Sequence, residues 1–276
     1  MTNIKHRRIA LVASPLAALL VTALPHVAHA QRKSPLEDAP AIRKRVELRE
    51  TRFEIGVGAT STVTQDFYHT YMIGGRLAFH LNDWLSLAGV GAAAVANQET
   101  GFQQRLVETL PAGMMGSVPR EPTSAQAQGS MQKIKAMVGA QLEFTPFTGK
   151  YSLFGKLFAH YDFYVFAGGG LLDVQPNDPG VCAAGAVQTV GGQPQSYCGL
   201  TGFKPGGQGG VGLHTFFNNF VALNLELRDF VARLDPSGRD VNGDGVANSS
   251  DVSWTQTFLV SANVMFFLPT LPAISQ

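Results

Sequence analysis

Between Asp240 and Asp251 the chain reads Asp-Val-Asn-Gly-Asp-Gly-Val-Ala-Asn-Ser-Ser-Asp. Asp240, Asn242, Asp244, Asn248 and Asp251 place side-chain oxygens at alternating and then wider intervals, Val246 offers a backbone carbonyl between them, and Gly245 allows the sharp turn. That is the order in which an oxygen-donor loop wraps Ca2+. The closing position is Asp rather than the longer Glu, and an exterior site of this kind would bind at about millimolar concentration. The competing reading is a polar Asn/Gly/Asp turn that keeps the loop soluble without an ion. Cys182 and Cys198 stand in a Gly-, Gln- and Pro-rich stretch. In an oxidising compartment they are expected to form a disulfide, and closing a loop of about 16 residues would restrain the chain by ~3 kcal/mol. A metal site is the alternative, but neither cysteine has a histidine nearby. Nucleophilic and hydrolytic signatures are absent from the sequence: His69, His80, His160 and His214 are scattered, with no G-x-S-x-G or H-E-x-x-H spacing. No catalytic residue and no enzymatic activity is expected.

A second set of polar residues recurs at strand spacing. Glu54, Arg76, Lys135, Glu143, Glu226 and Arg228, with Gln141, Asn224 and Asn263, each fall opposite apolar neighbours in period-two runs. Phe53, Ile55, Val57 and Ala59 oppose Glu54, Gly56, Gly58 and Thr60; Val221, Leu223, Leu225 and Leu227 oppose Ala222, Asn224, Glu226 and Arg228. A strand sends successive side chains to opposite faces, so each run has one apolar and one polar or tiny face. Eight such runs are predicted, beginning near residues 52, 70, 85, 133, 161, 203, 220 and 252. The Gly-rich run Gly206 to Gly210 belongs to one of them and has no following helix, which argues against a phosphate-cradling loop.

The ends of the chain set the context. Residues 1–30 run from Lys5, Arg7 and Arg8 through an apolar stretch to Ala28-His29-Ala30, the n-region, h-region and small-x-small pattern of a secretory signal peptide; a membrane-anchoring helix is the alternative. Residues 31–51, with basic and acidic side chains interleaved, are expected to be a flexible periplasmic lead-in, 52–270 the folded body, and 271–276 a short tail. Charged residues make up only 15% of the chain and the formal charge is +1. No basic field is available to concentrate a nucleic acid. Mean hydropathy is nonetheless +0.06, and beyond the signal no apolar run is long enough for a membrane helix. The hydrophobicity is spread over short alternating pieces.

Strands of about ten residues or more, apolar on one face, suit a tilted crossing of an apolar band ~25 Å tall. Lipid cannot satisfy a free sheet edge, so the predicted fold class is all-β: an eight-stranded antiparallel transmembrane β-barrel. The gaps 81–84 and 218–219 are tight, whereas 97–132, 175–202 and 234–251 are long, as expected when turns lie on the periplasmic side and loops outside. The medium gap 145–160 departs from this alternation. Leu153, Phe154, Leu157, Phe158 and Tyr161 have helical spacing, which predicts a short amphipathic helix at the periplasmic surface, with an extra strand as the alternative. The nine polar residues named above would form a lumenal network in which charges persist because they are paired. Phe79, Trp84, Phe144, Phe216 and Phe220 at one rim, and Tyr68, Tyr71, Phe230 and Trp254 at the other, would form interfacial girdles.

The segments Pro146-Phe147, Gly149-Lys150, Leu153-Phe154, Lys156, His160-Tyr161-Asp162-Phe163-Tyr164 and Ala167-Gly168-Gly169-Gly170, with the terminal Phe266-Phe267-Leu268-Pro269, resemble the outer membrane beta-barrel domain family, similar in architecture to the OmpA/OmpX-like eight-stranded barrel. The likeness covers residues 46 to 270 and implies fold and outer-membrane location rather than an activity. The chain runs on to Gln276 past the aromatic pair, a departure from a barrel-assembly signal that ends the chain. The Asp240–Asp251 run similarly resembles the loop of dockerin-type repeats, here flanked by strands. The resulting expectation is an integral outer-membrane protein with a structural or surface-interaction role through its long extracellular loops. The alternatives are a narrow porin-like channel for small solutes, an outer-membrane lipid-modifying enzyme, and a soluble exported β-sandwich. The implied partners are outer-membrane lipid and the barrel-assembly machinery, with no nucleic acid and the surface ligand open. No cofactor is expected apart from Ca2+ as a candidate ion for the extracellular loop.

Overall fold

The computed structural model describes residues 46–47, 51–111, 123–153, 157–182, 188–190, 193–195, 201–238, 240–242, 248–269 and 273–274. In chain order the strands are β1 (Val46–Glu47), β2 (Phe53–Thr62), β3 (Tyr68–His80), β4 (Leu85–Glu99), β5 (Gln132–Leu153), β6 (Leu157–Pro176), β7 (Gln188–Val190), β8 (Gln193–Gln195), β9 (Gly202–Phe216), β10 (Val221–Leu234), β11 (Ser253–Leu268) and β12 (Ala273–Ile274). Eight of them close into one barrel in the order β2-β3-β4-β5-β6-β9-β10-β11, and β11 returns to pair with β2. Every neighbouring pair in the barrel is antiparallel. A closed ring leaves no unpaired edge in its wall. Below it, β1 pairs with β12, so the two ends of the described chain meet on the short-turn side. β7 and β8 form a separate small hairpin in the loop after β6.

The turns β3–β4, β5–β6 and β9–β10 share one end of the barrel with the start of β2 and the end of β11, and the connections 63–67, 100–131, 177–201 and 235–252 share the other. At the short-turn end Asn82 Oδ1 accepts from the Trp84 and Leu85 amides, and Asn218 Oδ1 accepts from Phe220 and Val221. An Asn that bonds its own backbone two or three residues on is what closes so tight a turn.

The helix expected over 151–161 does not form. β5 and β6 continue as a two-stranded hairpin, with Gly149 opposite Tyr161, Tyr151 opposite Ala159 and Leu153 opposite Leu157. The same stretch also reads as the two arms of a hairpin, paired as far as Leu153 opposite Leu157, and cross-strand pairing with an existing strand satisfies more backbone groups than a lone short helix. The strand count therefore stays even. The short helices lie elsewhere, at Gly101–Thr109 and Ser124–Ser130 in the longest connection. Thr100 and Thr123 cap them through their hydroxyls, and Gln126 completes a capping box.

Burial follows parity. In β2 and β10 the residues Phe53, Ile55, Val57, Leu225 and Leu227 are exposed outward, and Glu54, Asn224, Glu226 and Arg228 are buried inward. Bulges shift the phase in three places: at Tyr71/Met72, between Ile134 and Ala136, and between Phe144 and Phe147. A bulge sets two residues against one and so exchanges inside for outside beyond it.

Candidate functional site

The lumen is filled in three layers. Toward the short turns Phe216, Ala222, Met265 and Phe267 form an apolar plug. Toward the long loops a second plug joins Met72, Ile134, Met137, Leu172, Phe230 and Leu259, among others. Between them lies an ionic layer centred on Arg76. Its Nε donates to Glu54 Oε1 at 2.7 Å, Nη2 to a Glu143 oxygen at 2.6 Å, and Nη1 to Glu226 Oε2 at 3.1 Å. Arg228 pairs with the other Glu226 oxygen and donates to Gln208. A planar guanidinium with five donors can serve three carboxylates at once, which an ammonium cannot do in fixed geometry.

Neutral groups hold this cluster in place. Tyr164 donates to Glu226 Oε2 at 2.9 Å and accepts from Asn224 at 2.7 Å, and Asn263 donates to Asn224 Oδ1 at 3.2 Å. Gln141 and Ser86 both donate to Glu143. The Tyr164 ring lies where a Cβ at Gly212 would be, so only glycine lets β9 approach it. A cavity of about 30 Å³ lies in this layer beside Arg76, Thr60, Ser261 and Asn263. That is room for about one or two waters.

Of the nine residues singled out for the lumen, Glu54, Arg76, Gln141, Glu143, Asn224, Glu226, Arg228 and Asn263 are brought together in this layer. Lys135 is not: it is the extra residue of the bulge between Ile134 and Ala136, partly exposed and outside the cluster, while Ile134 turns inward into the upper plug. Besides Tyr164, Gln208 and Ser86, the residues His80, His214 and Asp162 join the network although the sequence did not assign them to it. His80 Nε2 lies 2.8 Å from Glu54, and His214 lies 2.8 Å from Asp162 and 3.4 Å from Glu54. His214 stacks on Tyr164, and His80 stacks on Phe267. Phe216 and Phe230, expected in the girdles, are buried inside the wall at 3% and 0% exposure, and Tyr68, also expected there, is 4% exposed beneath Ala127 and Met131 at the long-connection end. Parity explains the first two, since both share a face with lumenal His214 and Asn224. Phe79, Trp84, Phe144, Tyr71 and Trp254 do face outward.

Below the lower plug Arg52 ties the chain ends together. Its guanidinium donates to the carbonyls of Pro269, Asn219 and Phe267 and stands 5.3 Å from the Phe267 ring centre. At the opposite end, Tyr68, Ala127 and Met131 gather Phe67, Leu106, Val107 and Leu110 into a small core above the barrel. Backbone hydrogen bonds from Gln132 to Pro236, Asn177 to Met131 and Asp178 to Gly129 join three of the long connections there. Gly238 adopts a positive φ against the Ser130 carbonyl, a close approach that a side chain would prevent.

In the Asp240–Asp251 run, Asp251 Oδ1 accepts from the Val241 and Asn242 amides at 3.0 and 3.2 Å, and Oδ2 accepts from the Asn248 amide at 2.6 Å. Burial pushes the Asp251 carboxyl up, but the Asn248, Val241 and Asn242 amides and a bond with Asp240 outweigh it, holding it below the ordinary aspartate range. Asn242 donates to Ser250, and Asn248 accepts from Ser250. Asp244 and Val246 lie outside the described residues, as do the Cys182 and Cys198 side chains. Among the described residues no three His, Cys, Asp or Glu side chains converge as a metal site.

An apolar outer wall, a packed polar lumen and all long connections at one end define an eight-stranded closed barrel. No family model matches the chain, and no curated protein matches it in sequence. Among solved structures it is similar to the N-terminal β-barrel domain of Pseudomonas aeruginosa OprF (10% identity, 79% of this chain and 98% of that one, TM-score 0.40). It is also similar to the outer membrane protein OprG from Pseudomonas aeruginosa (12%, 80% and 97%, TM-score 0.39) and to Ail, the attachment invasion locus protein of Yersinia pestis (12%, 79% and 99%, TM-score 0.35).

Proposed function

We propose that the chain is an integral outer-membrane barrel that presents its long connections at the cell surface, with a structural or interaction role and no catalytic step. The observation that carries this reading is the inversion of polarity across one wall. On β10 alone, Leu225 and Leu227 are 45% and 47% exposed while the intervening Glu226 is 5% exposed. Water would reverse that arrangement; hydrocarbon outside favours it, at about 25 cal/mol for each Å² of apolar surface removed from water. Trp84, Phe144 and Phe53 at the short-turn rim and Trp254 and Tyr71 at the other suit interfacial positions. The folded long-loop end supports surface presentation, because its loops are anchored to one another. The His80 and His214 rings are buried among carboxylates and aromatics and engaged with them, which supports a structural role for them.

The test is fractionation followed by electrophoresis with and without boiling, then labelling of intact cells. The protein is expected in the outer-membrane fraction with heat-modifiable migration. In a Cys182→Ser/Cys198→Ser background, Val241→Cys should react with a membrane-impermeant maleimide on intact cells, and Lys150→Cys only after the outer membrane is opened. A mature protein that refolds in buffer without detergent would remove the membrane reading, and the reverse labelling pattern would remove surface presentation by the long loops.

A further inference from the structure

We propose that a cavity at the long-connection rim of the barrel is a binding site for one neutral sugar ring. β11 outlasts a neighbour there: its pairing with β2 ends at Leu259 opposite Thr62, whereas its pairing with β10 runs on to Ser253. In the step so formed lies a cavity of about 220 Å³, lined by Thr64, Gln65, Asp66, Pro236, Gln256 and Phe258, among others. It is smaller than the ~300 Å³ at which pockets for drug-sized ligands begin, which makes it the size of a single small ring.

The walls of this cavity are held in place while several of their polar ends are left over. The Val63 amide donates to the Phe258 carbonyl at 2.9 Å, and Gln65 Nε2 donates to Thr257 Oγ1 at 3.3 Å, pinning the β2–β3 connection to β11. From the next connection the Thr100 amide donates to the Phe67 carbonyl at 2.9 Å, and the Thr100 hydroxyl donates to the Asp66 carbonyl. The Pro236 carbonyl accepts from the Gln132 amide at 2.8 Å. Among the described residues, by contrast, the Thr64 hydroxyl, the Asp66 carboxylate and the Gln256 side-chain amide make no hydrogen bond or ion pair. Groups carried on a held backbone lose little freedom when a ligand engages them.

Those three groups set the chemistry of the occupant. A carboxylate accepts hydrogen bonds on two adjacent oxygens, a primary amide both accepts and donates, and a hydroxyl does either. Neighbouring hydroxyls around a pyranose ring answer that mixture, and the ring's C–H faces match the apolar part of the lining, Phe258 and Pro236. Other occupants fit less well. No Lys, Arg or His lines the cavity, so a phosphate-, sulfate- or carboxylate-bearing ligand would meet Asp66 as a like charge. A Ca2+ ion takes about six to eight oxygen ligands and would find one carboxylate. A peptide strand would find only Ser253 to Thr257 of β11 to pair with, a shorter run than any strand of the barrel wall. Trp254, on β11 close to Gln256 and 71% exposed, suits the upper membrane interface. The cavity therefore stands where the sugar of a surface glycolipid and a free sugar can both reach it.

The inference deepens the surface-interaction reading and rests on it for the side of the membrane that the cavity faces. Fractionation and Val241→Cys labelling test that reading, whereas titration of the purified protein tests the sugar, so the two can fail separately. The 15N-labelled full-length protein, in phosphocholine detergent micelles that carry no sugar headgroup, is titrated with the methyl pyranosides of glucose, galactose, mannose and N-acetylglucosamine. In a parallel series octyl glucoside is doped into the same micelles. Saturable shifts of the Thr64, Asp66 and Gln256 backbone amide signals are expected, with an apparent Kd that Asp66→Ala/Gln256→Ala raises about tenfold or more. Both side chains are exposed, and heat-modifiable migration of the double variant shows that its barrel is intact. Shifts from a methyl glycoside assign the site to a free sugar, and shifts from octyl glucoside alone assign it to a membrane-attached one; either result supports the proposal. No saturable shift with any of these glycosides, the same shifts from glycerol at equal concentration, or binding untouched by the double variant would overturn it.

Discussion

Arg76 donates to three buried carboxylates from three different strands, so its loss leaves Glu54, Glu143 and Glu226 inside the lumen with one guanidinium, Arg228, near only the last of them. Breaking a buried pair by removing one partner costs about 3–5 kcal/mol. Arg76→Leu is expected to destabilise the barrel by at least that amount, read as a lower urea midpoint in lipid vesicles. Arg76→Lys should recover only part, because an ammonium cannot span the three acids. Gly212→Val is expected to cost about 1–3 kcal/mol by driving the Tyr164 ring from its place. An unchanged midpoint for that variant would mean Tyr164 is free to move and is not fixing Glu226. At this scale parity made most of the lumen legible. Glu54, Arg76, Glu226 and Arg228 stand in runs whose two faces differ plainly, so their direction follows from counting by two. His214 does not, because β9 is dominated by glycine from Gly206 to Gly212 and neither face announces itself. Lys135 was misread for a different reason: a bulge has no signature in a run where Lys133, Lys135 and Ile134 can exchange faces.

Bulges and turns set what each element contributes. Residues 151–161 read as a helix in the sequence because Leu153, Phe154, Leu157, Phe158 and Tyr161 fit a period of 3.6 as well as they fit two paired arms. Only pairing with a neighbour decides between the two, and local sequence does not contain it. The Asp240–Asp251 loop poses a similar choice between an ion-wrapped and an amide-wrapped carboxylate. Asp251 takes three backbone donors, and its depressed folded pKa means that it contributes stability above its unfolded value of about 3.9, lost as pH falls through the lower folded value. Protection of the Asn248 amide from hydrogen exchange is expected to be constant from pH 7 to about pH 5 and to fall below about pH 4. Asp251→Asn should lower that protection already at neutral pH. With the amides as partners, addition of EDTA is expected to leave the protection unchanged, whereas a marked loss on chelation would show that Ca2+ holds this loop.

For the whole molecule the question is whether anything crosses the lumen. Eight strands enclose an interior that side chains can fill, and here they do so with two different chemistries in series. The Phe216–Phe267 plug is expected to exclude ions because it offers no partner to replace hydration, and the Arg76 layer because its charges are engaged with one another. The upper plug around Phe230 and Leu259 repeats the first barrier. Barriers in series predict that no single truncation opens the barrel. The wild-type protein is expected to be electrically silent in planar bilayers, and Phe230→Ala and Phe267→Ala should remain silent even though each is destabilised by about 3–5 kcal/mol. Stepwise conductance from the wild type would show that the ionic layer rearranges on its own and that the barrel is a channel. Conductance from Phe267→Ala alone would place the whole barrier at the short-turn plug, and the ionic layer would then be a stabilising core rather than a seal.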